Sequence, residues 1–167
     1  MSKKVVLIGD SIRIGYEPFV RDEMTGEAEI VTAEQNGGNS RRVLESLDAW
    51  AVSHSPDVVH LNCGLHDLNT PFDTGEAIVP LAEYADNVTR ILEALKSGIQ
   101  GTIIWAQTTP VNEAWHHERK PFDRFEKDVL AYNAEAAALC ERLGVVIDDL
   151  YGVVRKAGRD DLLGQDG

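Results

Sequence analysis

Apolar runs of strand length alternate along the chain with longer stretches in which apolar residues recur every three or four positions. That alternation limits the folds open to it. The runs fall at residues 5–8, 29–33, 58–62, 102–107 and 145–147. Being continuously apolar, they suit strands covered on both faces. Between them Leu81, Tyr84, Ala85, Val88, Ile91, Leu92 and Leu95 form one helical stripe, with Gly98 placed to end it. Phe125, Val129, Tyr132, Ala136, Leu139 and Leu143 form another, ahead of Gly144, and a helix over about 40–52 would bury Val43, Leu44, Leu47 and Ala51. The order β-α-β-α-β-α-β-α-β predicts a parallel sheet with helices on both faces. Residues 71–76 and 110–121 are expected to be long loops.

A length of 167 residues fits one domain, 1–167, with room for a core that needs neither disulfides nor metals. The formal charge of −12 argues against nucleic acid or an anionic membrane as a partner, and a neutral or cationic substrate is easier to accommodate. No run is long enough to span a membrane, and strand-like sequence begins at Lys3 with no signal peptide ahead of it, so a cytoplasmic protein is expected. Cys63 and Cys140 lie far apart in apolar surroundings and are expected to be free buried thiols.

In parallel α/β sheets ligands bind beyond the carboxyl ends of the strands. That rule selects residues 9–15, 36–40 and 64–71. Gly9-Asp10-Ser11 follows the first strand, where a serine serves either as a helix cap or as a nucleophile at the positive end of a helix. Asn36-Gly37-Gly38-Asn39-Ser40 either makes a plain turn or presents bare N–H groups to a ligand. His66, in Asn62-Cys63-Gly64-Leu65-His66-Asp67, is either a surface loop residue or a group able to donate, accept or titrate near neutrality. His116 and His117 read best as part of a solvated loop, since adjacent histidines do not readily share one metal ion. His54 and His60 read as structural. Trp115, Phe122 and Phe125 form either a substrate wall or, more simply, packing beneath the next helix.

Three signals on one rim, in this order, resemble the SGNH/GDSL family of serine hydrolases. Gly9-Asp10-Ser11 matches the nucleophile block, Gly38 the oxyanion glycine, and Gly64-Leu65-His66-Asp67 the third block. The resemblance implies a flavodoxin-like three-layer α/β/α sandwich with a five-stranded parallel sheet, and ester hydrolysis through an acyl-enzyme. By it Ser11 attacks the ester carbonyl, and the backbone N–H groups of Ser11 and Gly38 hold the oxyanion. Where the family has Asn in the third block this chain has His66, whose neutral imidazole retains an N–H; Asn62 is an alternative donor. The family's last block is Asp-x-x-His. Asp166 matches its Asp, and the His would fall two residues beyond Gly167. The expectation is therefore a chain lacking its C-terminal His segment and closing helix, the alternative being a catalytically inactive binding domain on the same fold. The expected substrate is a short-chain carboxylic ester, with an acetyl ester of a carbohydrate the leading choice, and neither cofactor nor metal is required. A flavodoxin-like nucleotide or receiver domain is a further rival, against which the glycine spacing counts.

Overall fold

The computed structural model describes residues 2–164. In chain order they form β1 (Lys3–Ile8), α1 (Ser11–Glu23), β2 (Ala28–Thr32), α2 (Ser40–Trp50), β3 (Val58–Leu61), β4 (Thr70–Pro71), α3 (Leu81–Gly98), β5 (Thr102–Ala106), α4 (Glu113–Arg119), β6 (Phe122–Asp123), α5 (Glu126–Leu143), β7 (Val146–Asp148) and α6 (Leu150–Leu162). Five strands make one parallel sheet in the order β2-β1-β3-β5-β7, with helices on both sides, the α/β/α fold expected from the strand–helix alternation. Val5 of β1 pairs with Ile30 of β2 on one side and Val58 of β3 on the other. The chain thus leaves β1 in one direction and returns on its opposite flank. The resulting crevice opens at the carboxyl ends of β1 and β3.

Side chains alternate across the sheet. Val6, Ile8, Val59, Leu61, Ile103 and Trp105 face α2, α3 and α5 and build the main core with Val43, Leu92 and Val129. Burying side chains of this size contributes about 1.5–3 kcal/mol each. Gly144, in the left-handed region at φ 65°, closes α5. The other face carries Val5, Leu7, Val58 and Ile104, which line an open apolar groove of about 520 Å³ with Phe19 and Val20 of α1. Phe19 is 70% exposed. α1 is held chiefly by polar contacts: its one fully buried residue is Arg13, whose guanidinium pairs with Glu17 and donates to Ala33 O at 3.1 Å and Gln35 O at 3.0 Å.

Three expectations need correction. Residues 110–121 are not a loop throughout, because α4 forms within them, started by the Asn112 side chain accepting Trp115 N–H at 3.1 Å. His116 on that helix is fully buried, its Nδ1 3.0 Å from Phe122 O, so only its exposed neighbour His117, 2.7 Å from Asp123, belongs to the surface. Gly98 is the last residue of α3 and not a left-handed stop; a Cβ there would come within 2.8 Å of Val52, so close packing is what requires glycine. β4 and β6 add a two-stranded antiparallel flap beside the sheet.

Candidate active site

The polypeptide leaves β1 through Gly9 and enters α1 at once. Asp10 takes the N-cap position, its carboxylate accepting Ile12 N–H at 3.0 Å. Ser11, one residue later, is exposed and leaves the capping to Asp10. It lines a cavity of about 380 Å³ with Leu65, Thr109, Val111, Arg124 and Leu163. Its backbone N–H lies in the first turn, where helix geometry provides no intrahelical acceptor, at the positive end of the helix dipole.

The second segment docks directly on the first. Gly37 N–H donates to Gly9 O at 2.8 Å, and a Cβ on Gly37 would meet that oxygen at 2.7 Å. Gly38 follows at φ +65°, a conformation that suits glycine. Its N–H donates to Asn36 Oδ1 at 2.8 Å, so an incoming oxyanion would compete with a neighbouring carboxamide for this donor.

The third segment leaves β3 beside the first. His66 is half-buried, next to the cavity-lining Leu65. Burial holds its pKa below the ordinary histidine value, the Arg124 charge adds to that, and Asp10 opposes it. A neutral imidazole with one N–H is the form favoured at neutral pH. Asn62 stands elsewhere: its Nδ2 donates to Ala106 O at 2.7 Å, and its side chain borders a separate, smaller cavity. Leu65 lines the Ser11 cavity, whereas neither His66 nor Asn62 is among its lining residues. Asp166 lies outside the described residues. Leu163 and Gly164 line the Ser11 cavity, so the chain reaches its rim at that point.

Two residues with no evident role in the sequence organise this rim. Asp67 is fully buried and accepts Ser40 N–H on both oxygens, at 2.9 and 3.0 Å, while Asn87 donates to Ser40 Oγ at 3.0 Å. Burial raises the Asp67 pKa to about 6 against the pull of the Ser40 bonds. The residue after His66 is thus tied to the residue two beyond Gly38. Arg124 donates to Asn69 at 2.7 Å and its guanidinium lies 5.5 Å from the Phe122 ring centre. It places a positive charge on the cavity wall of a chain whose net charge is −12. Trp115, Phe122 and Phe125 are not among the residues lining that cavity.

His60 bridges Asp148, at 3.0 Å, and the Tyr16 hydroxyl, at 3.3 Å, across the α1 face of the sheet. Cys63 and Cys140 are buried and unpaired. Among the described residues no group of three or more His, Cys, Asp or Glu side chains is arranged to hold a metal ion, and no helix is long and apolar enough to cross a membrane.

Comparison with known proteins adds the following. The model of the GDSL-like Lipase/Acylhydrolase family matches residues 7–167. The GDSL esterase/lipase CPRD49 of Arabidopsis thaliana is 28% identical over 172 residues, covering 92% of this chain and 66% of that protein. The chain thus spans just under two thirds of this relative's length. Among solved structures, the lipase/acylhydrolase from Enterococcus faecalis has a TM-score of 0.82 at 20% identity, covering 99% of this chain and 85% of that one. The acetyl xylan esterase AlAXEase has a TM-score of 0.72 at 17% identity, covering 95% and 82%. At these identities the structural likeness speaks for the fold alone.

Proposed function

The chain belongs to the GDSL-like lipase/acylhydrolase family, and from that premise we propose that it hydrolyses a short-chain carboxylic ester, an acetyl group on a carbohydrate being the leading candidate, with Ser11 as nucleophile. The observation that carries this is the position of Ser11. Ser11 follows closely on β1 at the sheet's switch point and lines a cavity of about 380 Å³, while Asp10 caps the helix. A pocket of that size suits a small ligand. The acetyl choice draws on the structural likeness to an enzyme named as an acetyl xylan esterase.

In this reading the Ser11 oxygen attacks the ester carbonyl and its proton passes to a general base. A serine hydroxyl is a weak nucleophile without one. Asp166 is proposed to act with that base, as the resemblance implies. The developing oxyanion is held by Ser11 N–H, by Gly38 N–H once Asn36 Oδ1 yields it, and by an imidazole N–H of His66. The alcohol leaves, and water then releases the acyl group from Ser11. Donors of this kind act because they are already oriented where charge develops.

A fluorophosphonate probe should label the protein at Ser11, and Ser11→Ala should abolish labelling and turnover of p-nitrophenyl acetate. Turnover that survives in the variant removes Ser11 from the mechanism. Absence of labelling in the unaltered chain favours a binding domain on the same fold.

A further inference from the structure

Adjoining the Ser11 cavity is a small space of about 10 Å³ bordered by Asp10, Arg13, Tyr16, Asn62, Gln107 and Thr109, with Ile12 and Leu150 completing its wall. Ile12 and Thr109 belong to the walls of both cavities. Two of its lining residues each carry a buried side-chain atom with no hydrogen-bond partner among the described residues, Arg13 Nε and Thr109 Oγ1. Each residue is 3% exposed. The other nitrogens of the Arg13 guanidinium are engaged by Glu17, Ala33 O and Gln35 O, which leaves the Nε–H as the unmatched donor.

We infer that this cavity is a binding site for one ordered water molecule, joining the first turn of α1 to the ends of β3 and β5. Its size matches about one water-sized sphere, the smallest space that holds a water. Its chemistry matches too. The occupant must accept a hydrogen bond from Arg13 Nε–H and exchange one with the Thr109 hydroxyl, which a water does at once. The second water proton has acceptors around it. One Asp10 oxygen takes Ile12 N–H while the carboxylate keeps further lone pairs, and Asn62 and Gln107 each carry a carboxamide oxygen. A small cation meets the Arg13 charge, and an organic molecule exceeds the volume.

The site bears on Ser11 through its neighbours. Asp10 precedes Ser11, and Ile12 and Arg13 follow it, so a water held here makes the backbone on both sides of that serine answer to the β5 end at Thr109. The larger cavity then has an inner wall that is hydrogen-bonded through.

The test is a crystal structure of the full chain at about 1.5 Å resolution, with Thr109→Ser and Thr109→Val beside it. The unaltered protein and T109S should each show a solvent peak within about 2.7–3.2 Å of Arg13 Nε and the hydroxyl. T109V should lose the peak, because its methyl neither donates nor accepts. In solution, a water–protein cross-relaxation signal to the Arg13 Nε proton should appear in the unaltered chain and T109S and vanish in T109V. A closed cavity, or Arg13 Nε–H bonded directly to a protein oxygen, overturns the inference. So does an equally strong water signal in T109V.

Discussion

Replacing Asp67 by Asn tests the buried tie between the second and third segments. In the folded protein the Asp67 carboxyl titrates near pH 6, raised from 3.8 by burial. One pKa unit corresponds to about 1.4 kcal/mol, so this shift of about two units amounts to roughly 3 kcal/mol. The folded state holds the proton more tightly than the unfolded chain. The contribution is therefore full below about pH 3.8 and is lost as pH rises through about 6. Between about pH 4.5 and pH 7.5 the loss is about 2 kcal/mol. Glu17 runs the opposite way, its pKa lowered on balance by bonds from Arg21 and Arg13 against the effect of burial, so its stabilisation disappears as pH falls. The quantity to measure is thus the difference between the unaltered chain and D67N, by urea unfolding across that pH range. Asn keeps an amide oxygen for Ser40 N–H, so the tie survives without its titration. The unaltered chain should lose about 2 kcal/mol relative to D67N on going to the higher pH. Parallel curves would refute the reasoning.

His66→Ala should lower kcat by about 10²–10³-fold with little change in KM if the imidazole donates to the oxyanion, as steady-state kinetics would reveal; an unchanged kcat assigns it to structure. Gly37→Ala should destabilise the fold by roughly 1–3 kcal/mol in urea unfolding, since its methyl would be driven onto Gly9 O. Arg13→Ala should cost about 3 kcal/mol, leaving Glu17 and two carbonyls without their donor, and a loss below about 0.5 kcal/mol would show that α1 is held otherwise. Burial raises both thiol pKa values, that of Cys140 to about 11. Both thiols should resist a disulfide reagent at pH 8 in the native protein and react promptly in urea.

The sheet was legible because each strand is a short apolar run next to glycine or polar residues, and every expected strand end lies within two residues of its observed position. The first two site segments were legible because glycines at strand ends are visible in one dimension. α4 was not. Seven residues make under two turns, too few for a periodic stripe, and flanking Pro110 and Pro121 read as loop punctuation. α6 has no fully buried residue and contains Gly152 and Gly158, so it presents no apolar stripe to read. The role of Asp67 was hidden because its partner is the backbone N–H of Ser40, which no side-chain pattern announces. The carboxamide over Gly38 was hidden for the same reason, since it depends on a local turn.

α1 is moored to the β2 edge like a boat tied at bow and stern. Arg13 holds Ala33 O and Gln35 O, and Arg21 holds Ile30 O at 2.8 Å. Arg21 lies eight residues after Arg13, which puts the ties about 12 Å apart along the axis. Two lines so spaced stop the helix from swinging about either one, so the heading of Ser11 at the bow is fixed from a distance.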